Sequence, residues 1–169
     1  MSGMEPACIC AIAGGITTPT QHAKIDALEA EMRLMQPCVA PVEHFFTPGL
    51  YCRRIEMAKG SLITSKIHRT EHPYFVLAGK AAVWDGENGV QIIKAPYFGI
   101  TKPGTRRVLL IGEDCTWITA HPATETTVEE IEARIIEPRD VSSIEQSEEF
   151  LQIDGDIQKL LSDALQKDV

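Results

Sequence analysis

From Gly49 onward the chain repeats one pattern: a short run of β-branched, aromatic and aliphatic residues, then a turn signal rich in glycine or proline. The runs fall at 50–57, 62–68, 74–77, 81–84, 90–94, 97–101, 107–111 and 116–120. Between them lie Lys59-Gly60, Ala78-Gly79, the Asp-Gly-Glu-Asn-Gly stretch at 85–89, Ala95-Pro96, Lys102-Pro103-Gly104 and Gly112-Glu113-Asp114. Connections this short leave no room for the crossover helices of a parallel sheet, so the runs predict a mainly β domain, a sandwich or barrel.

Helical periodicity is confined to the flanks. Residues 1–19, rich in Gly, Ala, Thr and Pro, read as a flexible arm. Over 20–36, Ile25, Leu28, Met32 and Met35 recur at spacings of three and four and form one apolar stripe, which Pro37 ends. The stripe either packs on the outside of the β domain or joins two copies as a homodimer. Beyond residue 121, a short helix is expected at 126–134. Asp154-Gly155-Asp156 is expected to cap a last helix carrying Ile157, Leu160, Leu161 and Leu165. A chain of 169 residues organised this way buries enough surface to fold without staples.

The formal net charge is −8, with 24 acidic against 16 basic residues. Such a surface repels nucleic acid and anionic membranes, so neither is expected as a partner, and an anionic ligand needs a local basic cluster. The acidic excess gathers after His121, in Glu125, Glu129, Glu130, Glu132 and Glu137 and then Glu145, Glu148 and Glu149, and reads as a solvated face. Five cysteines (Cys8, Cys10, Cys38, Cys52 and Cys115) have no framework spacing, and the apolar run 7–13 has no basic residue before it. Reduced thiols and a cytoplasmic setting follow as expectations. Cys8-x-Cys10 is half a metal site at most, for want of a second pair.

The segment Gly60 to Gly79 carries the chemistry. Strict alternation puts Leu62, Thr64, Lys66 and His68 on one strand face, and His72, Tyr74 and Val76 on one face of the next. The spacing resembles the first motif of the cupin family: glycine, five residues, His-x-His, a short gap, glutamate, six residues, glycine. Gly60 and Gly79 match the glycines, His68 the second histidine, while Lys66 and His72 stand at the first histidine and the glutamate. The second motif, Pro-x-Gly followed by a histidine, is degenerate in Lys102-Pro103-Gly104-Thr105-Arg106-Arg107, with Arg107 on that histidine. The resemblance implies a single cupin-type β-barrel (jelly roll) over 44–121, with an N-terminal helix at 20–36 and a C-terminal helical tail at 122–169. The runs at 44–51, 102–107 and 114–122 are also similar to a cupin group encoded by tailed bacteriophages and prophages.

Metal-dependent cupins place three histidines and a glutamate around one divalent ion, and protonated Lys66 and Arg107 repel a cation instead. Two readings follow. In the first, Lys66, His68, His72, Tyr74 and Arg107 form a pocket for a small anionic molecule such as a nucleotide, sugar phosphate or carboxylic acid. In the second, His68 and His72, with His44 or His121, hold a divalent metal as cofactor, three ligands plus water being a common catalytic set. Metal-free catalysis with His68 or His72 as base, and a purely structural role of phage origin, stand beside them. Trp84, Trp117, Cys52 and Cys115 read as packing.

Overall fold

Two residues set the start of the first helix. The Thr18 hydroxyl accepts the Gln21 amide while the Gln21 side chain accepts the Thr18 amide, a reciprocal cap with Pro19 in the first turn. Helix α1 then runs Pro19–Met32. The computed structural model describes residues 17–86, 89–139 and 148–168, so most of the arm expected at 1–19, and the Cys8/Cys10 pair, lie outside the described residues. Ile25 and Leu28 are fully buried against Ala82, Trp84 and Val108 and against Ile157 and Leu161 of the last helix, α3 (Glu148–Lys167). The apolar stripe is therefore covered within the chain rather than offered to a second copy; of its four residues Met35 alone is exposed.

The strands are β1 (Val42–Thr47), β2 (Gly49–Met57), β3 (Leu62–Thr64), β4 (Ile67–His68), β5 (His72–Trp84), β6 (Val90–Lys94), β7 (Tyr97–Thr101), β8 (Val108–Ala123) and β9 (Ile136–Glu137). Two pairs of expected runs are fused. The runs at 74–77 and 81–84 belong to one strand of 13 residues, and those at 107–111 and 116–120 to one of 16. Gly79 explains both. It takes φ +84°, the β5–β8 register shifts on either side of it, and a Cβ there would lie 2.2 Å from the Asp114 carbonyl oxygen. The glycine lets two continuous strands bend together instead of reversing the chain.

The sheet is open, which overturns the closed barrel expected over 44–121. Its order is β1-β2-β8-β5-β6, with β3 on β8 and β7 on β5. A barrel needs its outermost strands to pair with each other. Among the described residues β1 pairs with β2 alone and β6 with β5 alone, so the fold is mixed: a seven-stranded sheet with three helices. Helices cover apolar surface that closure would have buried. α1 and α3 lie over Ala82, Trp84 and Val108, while α2 (Val128–Ile135) packs Ile131 and Ile135 on Tyr51 and Ala123. A core between them gathers Met57, Tyr74, Val76, Leu109, Ile111 and Trp117.

Two further departures concern polar residues. α3 begins at Glu148 and passes through 154–156, so those residues are not its cap. Arg106 is buried, donates to Asp26 and pairs with Glu29, and Arg139 also binds Asp26, which ties α1 to the β7–β8 loop. No helix of the described residues is long and apolar enough to cross a membrane.

Candidate functional site

Three separate backbone segments each deliver one imidazole to the same place. His72 and His121 lie two residues beyond the Tyr74↔Thr119 pair on β5 and β8, so both project from one face of the main sheet. His68 comes from β4, a short strand paired with β9, with His68 opposite Ile136. The ring centroids of His72 lie 4.2 Å from those of His68 and His121, and His68 and His121 are 5.3 Å apart and stacked. One ring nitrogen of each lies within 4.8 Å of those of the other two.

The protonation states follow from the surroundings. Burial, then repulsion from His72 and other nearby cations, pushes both His68 and His121 down to about 3. Burial also lowers His72, against a hydrogen bond that raises it. In that bond His72 Nδ1 donates to the Thr70 carbonyl at 3.1 Å, which fixes the tautomer and leaves the Nε2 lone pair free. His121 is 1% exposed, and its Nδ1 has no hydrogen-bond partner among the described residues. Neutral imidazoles with free lone pairs, one of them on a buried nitrogen without a partner, fit a metal ion.

The cluster opens on a cavity of about 200 Å³. Arg107 enters it from the start of β8, 7% exposed, its guanidinium 5.3 Å from the Tyr74 ring centroid and donating to Thr101 Oγ1 at 3.0 Å. Burial lowers its pKa, and no carboxylate of the described residues lies within ion-pairing distance, unlike Arg106 next to it. Lys66 also lines the cavity, but its side chain is half exposed and its Nζ lies 2.7 Å from Glu132 of α2.

The residues singled out in the sequence thus separate. His68, His72, His121, Arg107 and Lys66 share the cavity; Tyr74 does not line it but stacks on Trp117 beneath Arg107. His44 stands apart on the exposed edge strand, hydrogen-bonded through Nδ1 to the Tyr51 hydroxyl at 2.7 Å. The expected strand at 62–68 breaks at 65–66, where the Arg107 carbonyl accepts the Ser65 amide and the Ser65 hydroxyl accepts the Arg107 amide. The break puts Ile63, not Leu62, toward the cavity, while Leu62 packs with the helices. Two charged lining residues, Arg53 and Glu132, escaped the sequence reading. Arg53 was legible from alternation with Tyr51 and Ile55, whereas Glu132 was hidden in the acidic run read as solvated.

No family model matches the chain, and no curated protein matches it. Solved structures similar to it include a cupin-2 domain protein from Shewanella frigidimarina (12% identity, 60% of this chain and 98% of that one, TM-score 0.40). An RmlC-like cupin family protein with a double-stranded β-helix fold from Methanocaldococcus jannaschii matches at 8% identity over 52% and 83%, TM-score 0.43. The EutQ protein of Clostridium difficile matches at 16% identity over 52% and 71%, TM-score 0.42. At these identities and TM-scores the likeness assigns this chain no family, metal, ligand or reaction. It lends no support to the phage-related resemblance.

Proposed function

We propose that this protein binds a divalent transition metal through His68, His72 and His121 and uses the site to hold a small anionic ligand in the adjoining cavity. The convergence of three imidazole nitrogens within 4.8 Å carries the proposal. Three nitrogen donors suit zinc, nickel, cobalt or iron(II) rather than magnesium or calcium, which prefer oxygen. An ion held there by His68, His72 and His121 would supply a Lewis-acid centre beside the cavity. Arg107 supports the second half of the reading, because a buried guanidinium with no carboxylate of the described residues within ion-pairing distance favours an anion beside it, although Asp85 acts on it from further off. Calorimetric titration of the purified protein with zinc and with nickel is expected to give one site per chain. His44→Ala should retain that site and His121→Ala should lose it. A wild-type chain that takes up neither metal would sink the proposal.

A metal-free anion pocket is the second reading, favoured by the unpaired Arg107 alone. It predicts that a bound anion still raises the melting temperature in the presence of a chelator, and that Arg107→Ala abolishes the rise.

A further inference from the structure

The wall of the cavity changes character along one direction. β2 and β8 pair so that Tyr51 faces His121, Arg53 faces Thr119, Ile55 faces Trp117 and Met57 faces Cys115. Each step is two residues, about 7 Å along a strand. The same wall therefore passes from imidazole and guanidinium groups to isoleucine, indole and thioether. Ile63 and Leu109 line the apolar end, and both pack into the core that holds Met57 and Trp117. Arg107, immediately before β8, lies two residues before Leu109, so one stretch of chain contributes to both ends.

A ligand carrying charge at both ends would bury one charge against isoleucine, leucine and tryptophan, at a cost of several kcal/mol. A wholly apolar ligand would leave Arg107 unpaired. Size narrows the choice further. At about 200 Å³ the cavity lies below the roughly 300–1,000 Å³ of pockets for drug-sized ligands, which favours a small ligand over a nucleotide.

We propose that the ligand is a short-chain monocarboxylate, its carboxylate between Arg107 and the histidine cluster and a short apolar tail lying against Ile55, Ile63, Leu109 and Trp117. This deepens the reading above, since it places the anion of that reading and adds its tail.

The test is a calorimetric series on the full chain, with and without zinc, using acetate, butanoate, pentanoate and decanoate, with 1-pentanol and inorganic phosphate as controls. Affinity is expected to rise about fourfold per methylene from acetate to pentanoate, and to stop rising at that rate by decanoate, whose tail outruns the apolar lining. Pentanol should bind at least about tenfold more weakly than pentanoate, having no charge for Arg107. Ile63→Ala should flatten the rise from acetate to pentanoate. Equal affinities for acetate and pentanoate, phosphate as the tightest ligand, or no carboxylate binding at all would each overturn the inference, and zinc binding in the same samples would leave the metal reading standing. A chain-length series that persists unchanged without zinc supports the inference and counts against the metal holding the anion, not against metal binding at the cluster.

Discussion

Lys66 and Arg107 share a cavity and a sign of charge but little else. Lys66 holds its ammonium in water beside Glu132, a kind of pair whose net worth is about 0–1 kcal/mol. Lys66→Ala should therefore leave the urea midpoint nearly unchanged. Arg107 is buried on the Tyr74 ring, so Arg107→Ala should weaken anion binding by about ten- to a hundredfold, the range for a hydrogen bond to a charged group. His121→Ala should lower metal affinity by at least about a hundredfold, since removing a group that only orients a ligand already costs 10–100-fold. Gly79→Ala should destabilise the fold by at least about 1–3 kcal/mol in chemical denaturation, because a side chain at φ +84° is strained and its Cβ would meet Asp114. Spacing between Gly60 and Gly79 made His68 and His72 legible as neighbours. It could not separate His121 from His44, because that choice rests on which strand flanks β2 on each side. Nor could it show that Lys66 has an acidic partner 66 residues away.

Among the elements, α1 is held by charge as well as by its apolar stripe. Burial raises the Asp26 pKa, but hydrogen bonds from Arg139 and Arg106 outweigh it and hold the carboxyl below its ordinary value. Because the folded pKa lies below the unfolded one, this contribution is complete above the ordinary carboxylate range and is lost as pH falls through the folded value. Thermal melts should show stability falling below about pH 4, with a shallower fall in Asp26→Asn. At neutral pH that variant should cost about 3–5 kcal/mol, the range for breaking a buried ion pair. Leu161→Ala on α3 should cost about 2–5 kcal/mol, since the residue is fully buried between α1 and the sheet. The stripe on α1 was readable from its period, but its partner was not, because α3 lies more than a hundred residues away in sequence. The last helix was placed too late because Asp154-Gly155-Asp156 has the composition of a cap, yet the helix continues through it.

For the molecule as a whole, the antiparallel β-rich character was legible and the closure was not. Turn residues report that the chain changes direction locally. They do not distinguish a reversal from a bulge, so Gly79 read as the end of one strand when it is the bend within another. Once β5 and β8 are single long strands, each recruits several partners along its length, and β1 and β6 remain the outer strands of an open sheet. One consequence concerns the order in which the site is assembled. His72 and His121 are placed by the main sheet, but His68 rests on β4, whose only ladder partner among the described residues is β9, laid down after α2. Arg69 reinforces the tie by donating its amide to the Ile135 carbonyl. A nascent chain that has emerged only as far as residue 127 already carries all three histidines but lacks the partner strand that steadies the third. If the histidine cluster holds a metal as proposed, a ribosome-stalled series of increasing length should acquire metal binding only once residue 137 is clear of the exit tunnel.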